Sequence, residues 1–171
     1  MIEYEAIDRA EYAIIEMAIA DVKRASSGGA KLGAFILAAC VIDYLSCLYA
    51  GEDGGGKGYR DFIDRFFDDK RYNSSDLWAS IRNGLVHNYT VKGGRYFYVD
   101  NAPEKHFATT EDGQITLLNL ENFISDVELA AKKYFELVES DPDIKAKLVK
   151  RIDDIGIMTI ATIKIPKEVS S

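Results

Sequence analysis

The chain has 171 residues, of which 47% are hydrophobic and 29% charged, and its formal net charge is −7. This length suits one domain with a sizeable buried core, so we predict a single domain over residues 1–171. The acidic balance excludes a general nucleic-acid coat, which neutralises many phosphates and is basic overall. Any nucleic acid that this protein binds must therefore meet a local site.

The N-terminal part of the chain predicts two long helices with a tight break between them. Apolar residues recur every three or four positions through "IEYEAIDRAEYAIIEMAIADVKRA", which is the spacing of an amphipathic helix. "SSGG" at 26–29 interrupts this pattern. A second, strongly apolar helix then runs to about Ala50 and ends at Gly51.

The apolar run at 33–51 is about as long as a bilayer span, but Asp43 lies at its centre. A central carboxylate is costly in lipid. We therefore predict a buried helix of a soluble, cytoplasmic protein that makes no membrane contact. Cys40 and Cys47 are seven residues apart in this run, which predicts reduced core thiols on one helix face. No Cys/His cluster has zinc-ligand spacing, so no metal site is predicted.

Asp43 itself needs an explanation, because burying an unpaired carboxylate is expensive. One interpretation is a structural salt bridge within the helical bundle. The other is that Asp43 holds a functional arginine or histidine in place. Both interpretations predict a cationic partner for Asp43.

The glycine-rich stretch "GEDGGGKG" at 51–58 has the spacing of a phosphate-binding loop. However, Gly58 stands where serine or threonine would ligate magnesium, and the stretch follows a helix rather than a strand. We interpret it as a flexible connector, and we predict no nucleotide and no cofactor. A short helix in "YRDFIDRFFDD" follows, and its predicted inner face consists of Tyr59, Phe62, Ile63 and Phe66.

The second half of the chain predicts a helix, a small β region and further helices. "NSSD" supplies a helix N-cap for "LWASIRNGLVHNY". "RYFYVD", "KHFATT" and "QITLL" are short β-prone runs, which predict an antiparallel meander at about 94–118. A last long helix begins near Asn119, and Pro142 opens a further short helix. The helical core is thus expected at about 2–90 and 119–153, followed by a strand-like tail at 155–165.

The candidate site lies in the helix that contains "SIRNGLVHNYT". At about 100° per residue, one face of this helix is apolar and the other polar. The predicted core face contains Leu77, Trp78, Ile81, Leu85 and Tyr89, and the polar face contains Asp76, Ser80, Asn83 and His87. Arg82 lies at the border, and Gly84 leaves room for the close approach of a partner chain or a ligand.

This combination of residues suits chemistry on a phosphodiester. Histidine moves protons near neutral pH, and the fork-shaped guanidinium of arginine suits a phosphate. Cleavage of RNA without a metal needs a base for the 2′-hydroxyl, an acid for the leaving oxygen and stabilisation of the phosphate charge. A single Arg82–His87 pair offers one acid–base group. A homodimer that brings two copies of this helix together would supply both.

"RNGLVHNY" resembles the R-x4-H-x-Y signature of HEPN domains, which are helical bundles that often act as dimeric, metal-independent ribonucleases. The resemblance implies a mainly α fold, an up-and-down four-helix bundle. The small antiparallel β meander predicted from the β-prone runs is then an insertion before the last long helix. The resemblance makes Arg82 and His87 the catalytic pair and Asn83 an adjacent helper. Asp43 becomes the orienting acid, and Ser80 a supporting member of the polar face.

The resemblance also implies partners. HEPN proteins include toxins and phage-defence effectors that act on RNA. In toxin–antitoxin members, the tyrosine that matches Tyr89 can be adenylylated by a nucleotidyltransferase-type antitoxin. Two other hypotheses remain open at this stage. One is a non-catalytic HEPN-like module that binds a nucleotide, RNA or a protein. The other is an unrelated helical domain in which Arg82 and His87 merely cap a helix.

Overall fold

The structure is a computed structural model, and it describes residues 3–89, 96–111 and 113–157. Within these residues the chain forms six helices and two short strands, so the prediction of a mainly helical fold is confirmed. The segment 158–165, which makes up most of the predicted strand-like tail, lies outside the described residues. Ile155, the first residue of the predicted tail, belongs to the last helix.

The helices are named α1 to α6 in chain order. Helix α1 covers 3–27 and contains a π-helical stretch, and its three parts are Glu3–Tyr12, Ala13–Ala18 and Ile19–Ser27. Helix α4 covers 74–88 in the same manner, with the parts Ser74–Leu77, Trp78–Leu85 and Val86–Asn88. The others are regular: α2 (Lys31–Ala50), α3 (Gly55–Phe66), α5 (Leu120–Ser140) and α6 (Pro142–Ile155).

Local sequence chemistry sets several helix ends where they were predicted. Gly51 ends α2 in the left-handed conformation, with φ 76°, which glycine adopts without strain. The side chain of Asn73 accepts a hydrogen bond from the Asp76 N–H at the start of α4. Asn119 caps α5 through the Asn122 N–H, and Pro142 opens α6. These four predictions are confirmed.

Helix α2 lies at the centre of the molecule and packs against α1, α3, α4, α5 and α6. By length and composition it could cross a membrane, and half of its most apolar window is buried within the fold. The predicted inner face of α3 is also in the core, because Tyr59, Phe62, Ile63 and Phe66 are all buried. The cytoplasmic location remains a prediction.

The prediction for the two cysteines is wrong in part. Both thiols are free, but Cys40 is exposed and Cys47 is only half-buried. The reason is that α2 is apolar around nearly its whole circumference. Periodicity therefore does not show which of its faces points outward.

The predicted antiparallel meander is also wrong. Strand β1 (Tyr96–Val99) pairs in parallel with β2 (Thr116–Asn119), from Tyr96 opposite Thr116 to Val99 opposite Asn119. Parallel pairing needs a long crossover, and the residues between the strands provide it, including a 3₁₀ turn at Pro103–Lys105. Of the three predicted β runs, only "KHFATT" pairs antiparallel, through an isolated bridge from Thr109 to Thr116.

The glycine-rich stretch is more ordered than predicted. Helix α3 begins at Gly55, so only its first part is a connector. A Cβ atom on Gly56 would lie 3.0 Å from Cε2 of Trp78, which is closer than side chains normally approach. Glycine at this position therefore lets α3 pack directly on Trp78 of α4.

Candidate active site around Arg82 and His87

The π-helical stretch of α4 changes which residues face the core. In a π-helix each N–H bonds to the carbonyl five residues earlier, so successive side chains turn by less than they do in an α-helix. Ser80, predicted on the exposed polar face, is completely buried. Gly84 is buried too, so the prediction that it leaves room for a partner is wrong. Leu77, Ile81 and Leu85 lie in the core as predicted.

Tyr89 is not on the core face. It follows the last residue of α4 with φ 51°, a left-handed conformation, and its side chain is 66% exposed. Its N–H still bonds to the Leu85 carbonyl at 3.0 Å, so the chain turns sharply away as the helix ends. The predicted core position of Tyr89 is therefore wrong, since the helical periodicity stops one residue before it.

The cationic partner that Asp43 requires is Arg82. Nε and Nη2 of Arg82 donate to one carboxylate oxygen of Asp43 at 3.2 and 3.1 Å. Both side chains are about three-quarters buried, with exposed fractions of 26% for Arg82 and 29% for Asp43. The guanidinium carbon also lies 5.1 Å from the centre of the Trp78 ring. An ion pair and a cation–π contact thus fix the arginine from two sides.

His87 contacts the same guanidinium from the solvent side. Its Nε2 atom lies against Nη1 of Arg82. Arginine only donates hydrogen bonds, so in this contact Nε2 of a neutral ring is the acceptor. The His87 side chain is exposed. Its ring can therefore exchange protons with solvent while one edge stays next to a permanent positive charge.

The sequence prediction thus brings together Asp43, Arg82 and His87, whereas the remaining candidates make other contacts. Asn83 is half-buried, and its backbone carbonyl accepts a hydrogen bond from Nδ2 of Asn88 at 2.9 Å. Ser80 is completely buried, and Tyr89 is exposed directly after the end of α4. The exposed surface of the site consists chiefly of His87, Asn88 and Tyr89.

The burial of two hydroxyl groups without a hydrogen-bond partner in the described part of the chain was not predicted. Tyr59 and Ser80 are fully buried, and neither hydroxyl has a hydrogen-bond partner among the described residues. Burial raises the pKa of Tyr59, and the negative charge of Asp43 raises it further. Tyr59 packs against Trp78, with 5.3 Å between the ring centres. The sequence marked Tyr59 only as an apolar inner-face residue, which gave no sign of its closeness to Asp43.

The other histidine of the chain, His106, belongs to a separate buried cluster. The Asn119 N–H donates to Nδ1 of His106 at 3.1 Å, and Nε2 lies 3.2 Å from the Tyr72 hydroxyl oxygen. The Tyr72 hydroxyl donates to Asp126 at 2.6 Å. Burial and the nearby Asp126 raise the pKa of Tyr72, so it stays protonated. This cluster links the β region to α5, which fits a structural role.

No protein-family model, curated protein or solved structure matches this chain in the comparisons. Within 3–89, 96–111 and 113–157, no three His, Cys, Asp or Glu side chains are grouped so that they could hold a metal ion.

Proposed function

We propose that this chain is a homodimeric, metal-independent endoribonuclease of the HEPN type. The observation that carries the proposal is the Asp43–Arg82–His87 arrangement. Asp43 accepts two hydrogen bonds from the guanidinium of Arg82, and the same guanidinium contacts the exposed imidazole of His87. The helical fold and the order of its long helices are compatible with this family. A four-helix bundle of the HEPN kind is part of the proposal.

The proposed reaction is a transesterification within the RNA. Nε2 of His87 takes the proton of the 2′-hydroxyl, whose oxygen attacks the adjacent phosphorus. The bond to the 5′-oxygen breaks, and the partner's His87 gives that oxygen a proton. The products are a 2′,3′-cyclic phosphate and a 5′-hydroxyl. Arg82 stabilises the charge that builds on the phosphate.

The resting contacts suggest how substrate prepares the base. Nη1 of Arg82 occupies the lone pair of Nε2 in the free chain, whereas Nε and Nη2 bond to Asp43. A phosphate that attracts Nη1 would free Nε2 for the 2′-hydroxyl, while Asp43 still holds the rest of the guanidinium. Asp43 is thus a positioning residue in this mechanism, and Asn83 lies beside the pair as a helper.

The partners proposed from the resemblance are a second copy of the chain, RNA and a nucleotidyltransferase-type antitoxin. The dimer would form through the helix that carries Arg82 and His87. An antitoxin of this kind would need access to the Tyr89 hydroxyl, and the 66% exposure of that side chain supports such access. A toxin or phage-defence role follows from the same resemblance.

The test is cleavage of a single-stranded RNA in EDTA by the wild type and by Arg82→Ala. The variant removes the phosphate contact, so the expected loss in rate is about 100-fold or more. Arg65→Ala is the matched control, because Arg65 is exposed on α3 and should leave the rate unchanged. Equal rates for the wild type and Arg82→Ala would contradict the proposal.

The dimeric site has its own test. Wild-type protein is mixed with rising amounts of His87→Ala and allowed to exchange subunits. If each cleavage needs His87 from both protomers, activity falls with the square of the wild-type fraction. A linear fall would show that each chain works alone, and the composite site would be wrong.

A second candidate function is binding of RNA or a nucleotide without turnover. One observation favours it: the resting Arg82 is already engaged by both Asp43 and His87. Under this alternative, RNA would raise the melting temperature of the wild type but not of Arg82→Ala, and no cleavage product would form.

A further inference from the structure

An apolar groove of about 190 Å³ runs between α1 and α2, on the side of α2 that carries Cys40. Its walls are mainly apolar side chains, and they include Ile14, Met17 and Ala18 from α1 and Leu37, Cys40 and Val41 from α2. Leu37 is 40% exposed and Cys40 is exposed. A groove of this composition in water favours an apolar occupant.

The described chain ends at one mouth of this groove. Tyr44 lines the groove, and its hydroxyl donates to the Gly156 carbonyl at 3.2 Å. Ile157, the last described residue, packs against the core. The residues that follow therefore start next to the groove, and any other occupant would have to compete with a segment that is covalently attached there.

The sequence that follows suits the groove in composition and in length. Residues 158–165 read "MTIATIKI", and five of these eight residues are apolar when alanine is included. From Tyr44 to Leu37 the groove extends about 10 Å along α2, at about 1.5 Å per residue. Eight residues span about 12 Å as a helix and about 26 Å when extended, so either conformation is long enough.

The far end of the groove adds a charge argument. The short break at 28–30 makes α1 and α2 neighbouring antiparallel helices, so Asp21 of α1 lies at the end opposite Tyr44 and lines the groove there. The segment carries one positive charge near its end, at Lys164. A segment that enters at Tyr44 would carry this charge toward Asp21, which also pairs with Arg24.

We infer that residues 158–165 dock in the groove between α1 and α2 of their own chain and cover Cys40. Asp43 lies one helical turn after Cys40, so the docked segment borders the Arg82 site. The inference does not depend on the proposed ribonuclease activity, because its occupant is part of the chain itself. A dimer could use this face of α1 and α2 only after it displaced the segment.

Cys40 provides a natural reporter for this docking. In a Cys47→Ser background, the rate of modification by a small thiol reagent is measured for the full chain and for a chain that ends at Ile157. We expect the shorter chain to react about tenfold faster or more, which corresponds to about 1.4 kcal/mol of protection. Partial burial raises the pKa of the Cys40 thiol, and so does the nearby charge of Asp43. Rates are therefore compared at the high-pH plateau, where ionisation no longer limits them.

A cross-link tests the same contact without shortening the chain. In the Cys47→Ser background, Ile160→Cys should form an intramolecular disulfide with Cys40 on mild oxidation. Ser170→Cys is the matched control and should cross-link far less. The inference is overturned if Cys40 is modified at the same rate in the full chain and in the chain that ends at Ile157, and Ile160→Cys gives no disulfide. It is also overturned if the two cysteine variants cross-link equally, or if protection rises with protein concentration in both chains, which would identify a second copy as the occupant.

Discussion

The two histidines of this chain lie in opposite surroundings. His87 is exposed at the end of α4 and contacts the guanidinium of Arg82. The His106 side chain is only 7% exposed, and both of its ring nitrogens are within hydrogen-bond distance of Asn119 or Tyr72. A ring with both nitrogens engaged in the interior holds elements together. A ring at the surface beside a fixed cation is available to move protons, which makes His87 the candidate for chemistry.

The largest effect is expected at His87. His87→Ala should lower the rate of RNA cleavage by about 10²- to 10⁴-fold, the range of a general acid–base group. Its melting temperature should stay close to that of the wild type, because the ring is exposed. Initial rates in EDTA and a thermal melt check the two parts. A large drop in stability without any change in cleavage would make His87 the structural histidine and reverse the comparison.

His106→Ala should have the opposite outcome. It leaves the Asn119 N–H without its acceptor and opens a cavity beside Tyr72, so the free energy of unfolding should fall by about 2–4 kcal/mol. Urea denaturation measures this loss. Lys105→Ala, at the exposed neighbouring position, is the control and should change little. A His106→Ala protein as stable as this control would show that the cluster contributes nothing.

Ser80 sharpens the boundary of the candidate site. Its buried hydroxyl has no hydrogen-bond partner among the described residues, so Ser80→Ala removes an unsatisfied polar group and should stabilise the protein by about 1 kcal/mol. Ser75→Ala, at an exposed position of the same helix, corrects for the difference in helix propensity. If Ser80→Ala instead destabilises relative to this control, the hydroxyl has a partner that supports the Arg82 region.

The smallest effect is expected near His106, at Asp69. Hydrogen bonds from Arg71 hold the pKa of Asp69 below its ordinary value of 3.8. The ionised carboxylate therefore stabilises the fold above that pH, and this contribution is lost as the pH falls through the folded-state pKa. Asp69→Asn should lower the urea midpoint slightly at pH 7, and the difference should shrink in acid. Asp64→Asn, an exposed carboxylate on α3, should show no such trend.

The parts of the fold that were predictable are those whose cause is local. Gly51, Asn119 and Pro142 each set a helix boundary through their own backbone or side-chain chemistry. The inner face of α3 followed from simple periodicity. The need of Asp43 for a cation was also predictable, because the cost of burying a lone carboxylate does not depend on the details of the fold.

What could not be predicted depends on distant contacts. The π-helical stretch at Trp78–Leu85 changes which residues of α4 face the core. The sequence of this helix does not predict such a stretch. The parallel pairing of β1 with β2 depends on how the intervening residues cross over. The partners of His106 come from Tyr72, Asn119 and Asp126. Local sequence patterns contain no information on such long-range contacts.

The most direct measurement is cleavage of one RNA oligonucleotide by purified wild-type protein in EDTA, beside the same oligonucleotide with 2′-O-methyl groups. If His87 activates a 2′-hydroxyl, the RNA is cut to products with a 2′,3′-cyclic phosphate, and the methylated strand stays intact. His87→Ala should leave both strands intact. Intact RNA with folded, dimeric wild type, or equal cutting of the methylated strand, would contradict the account.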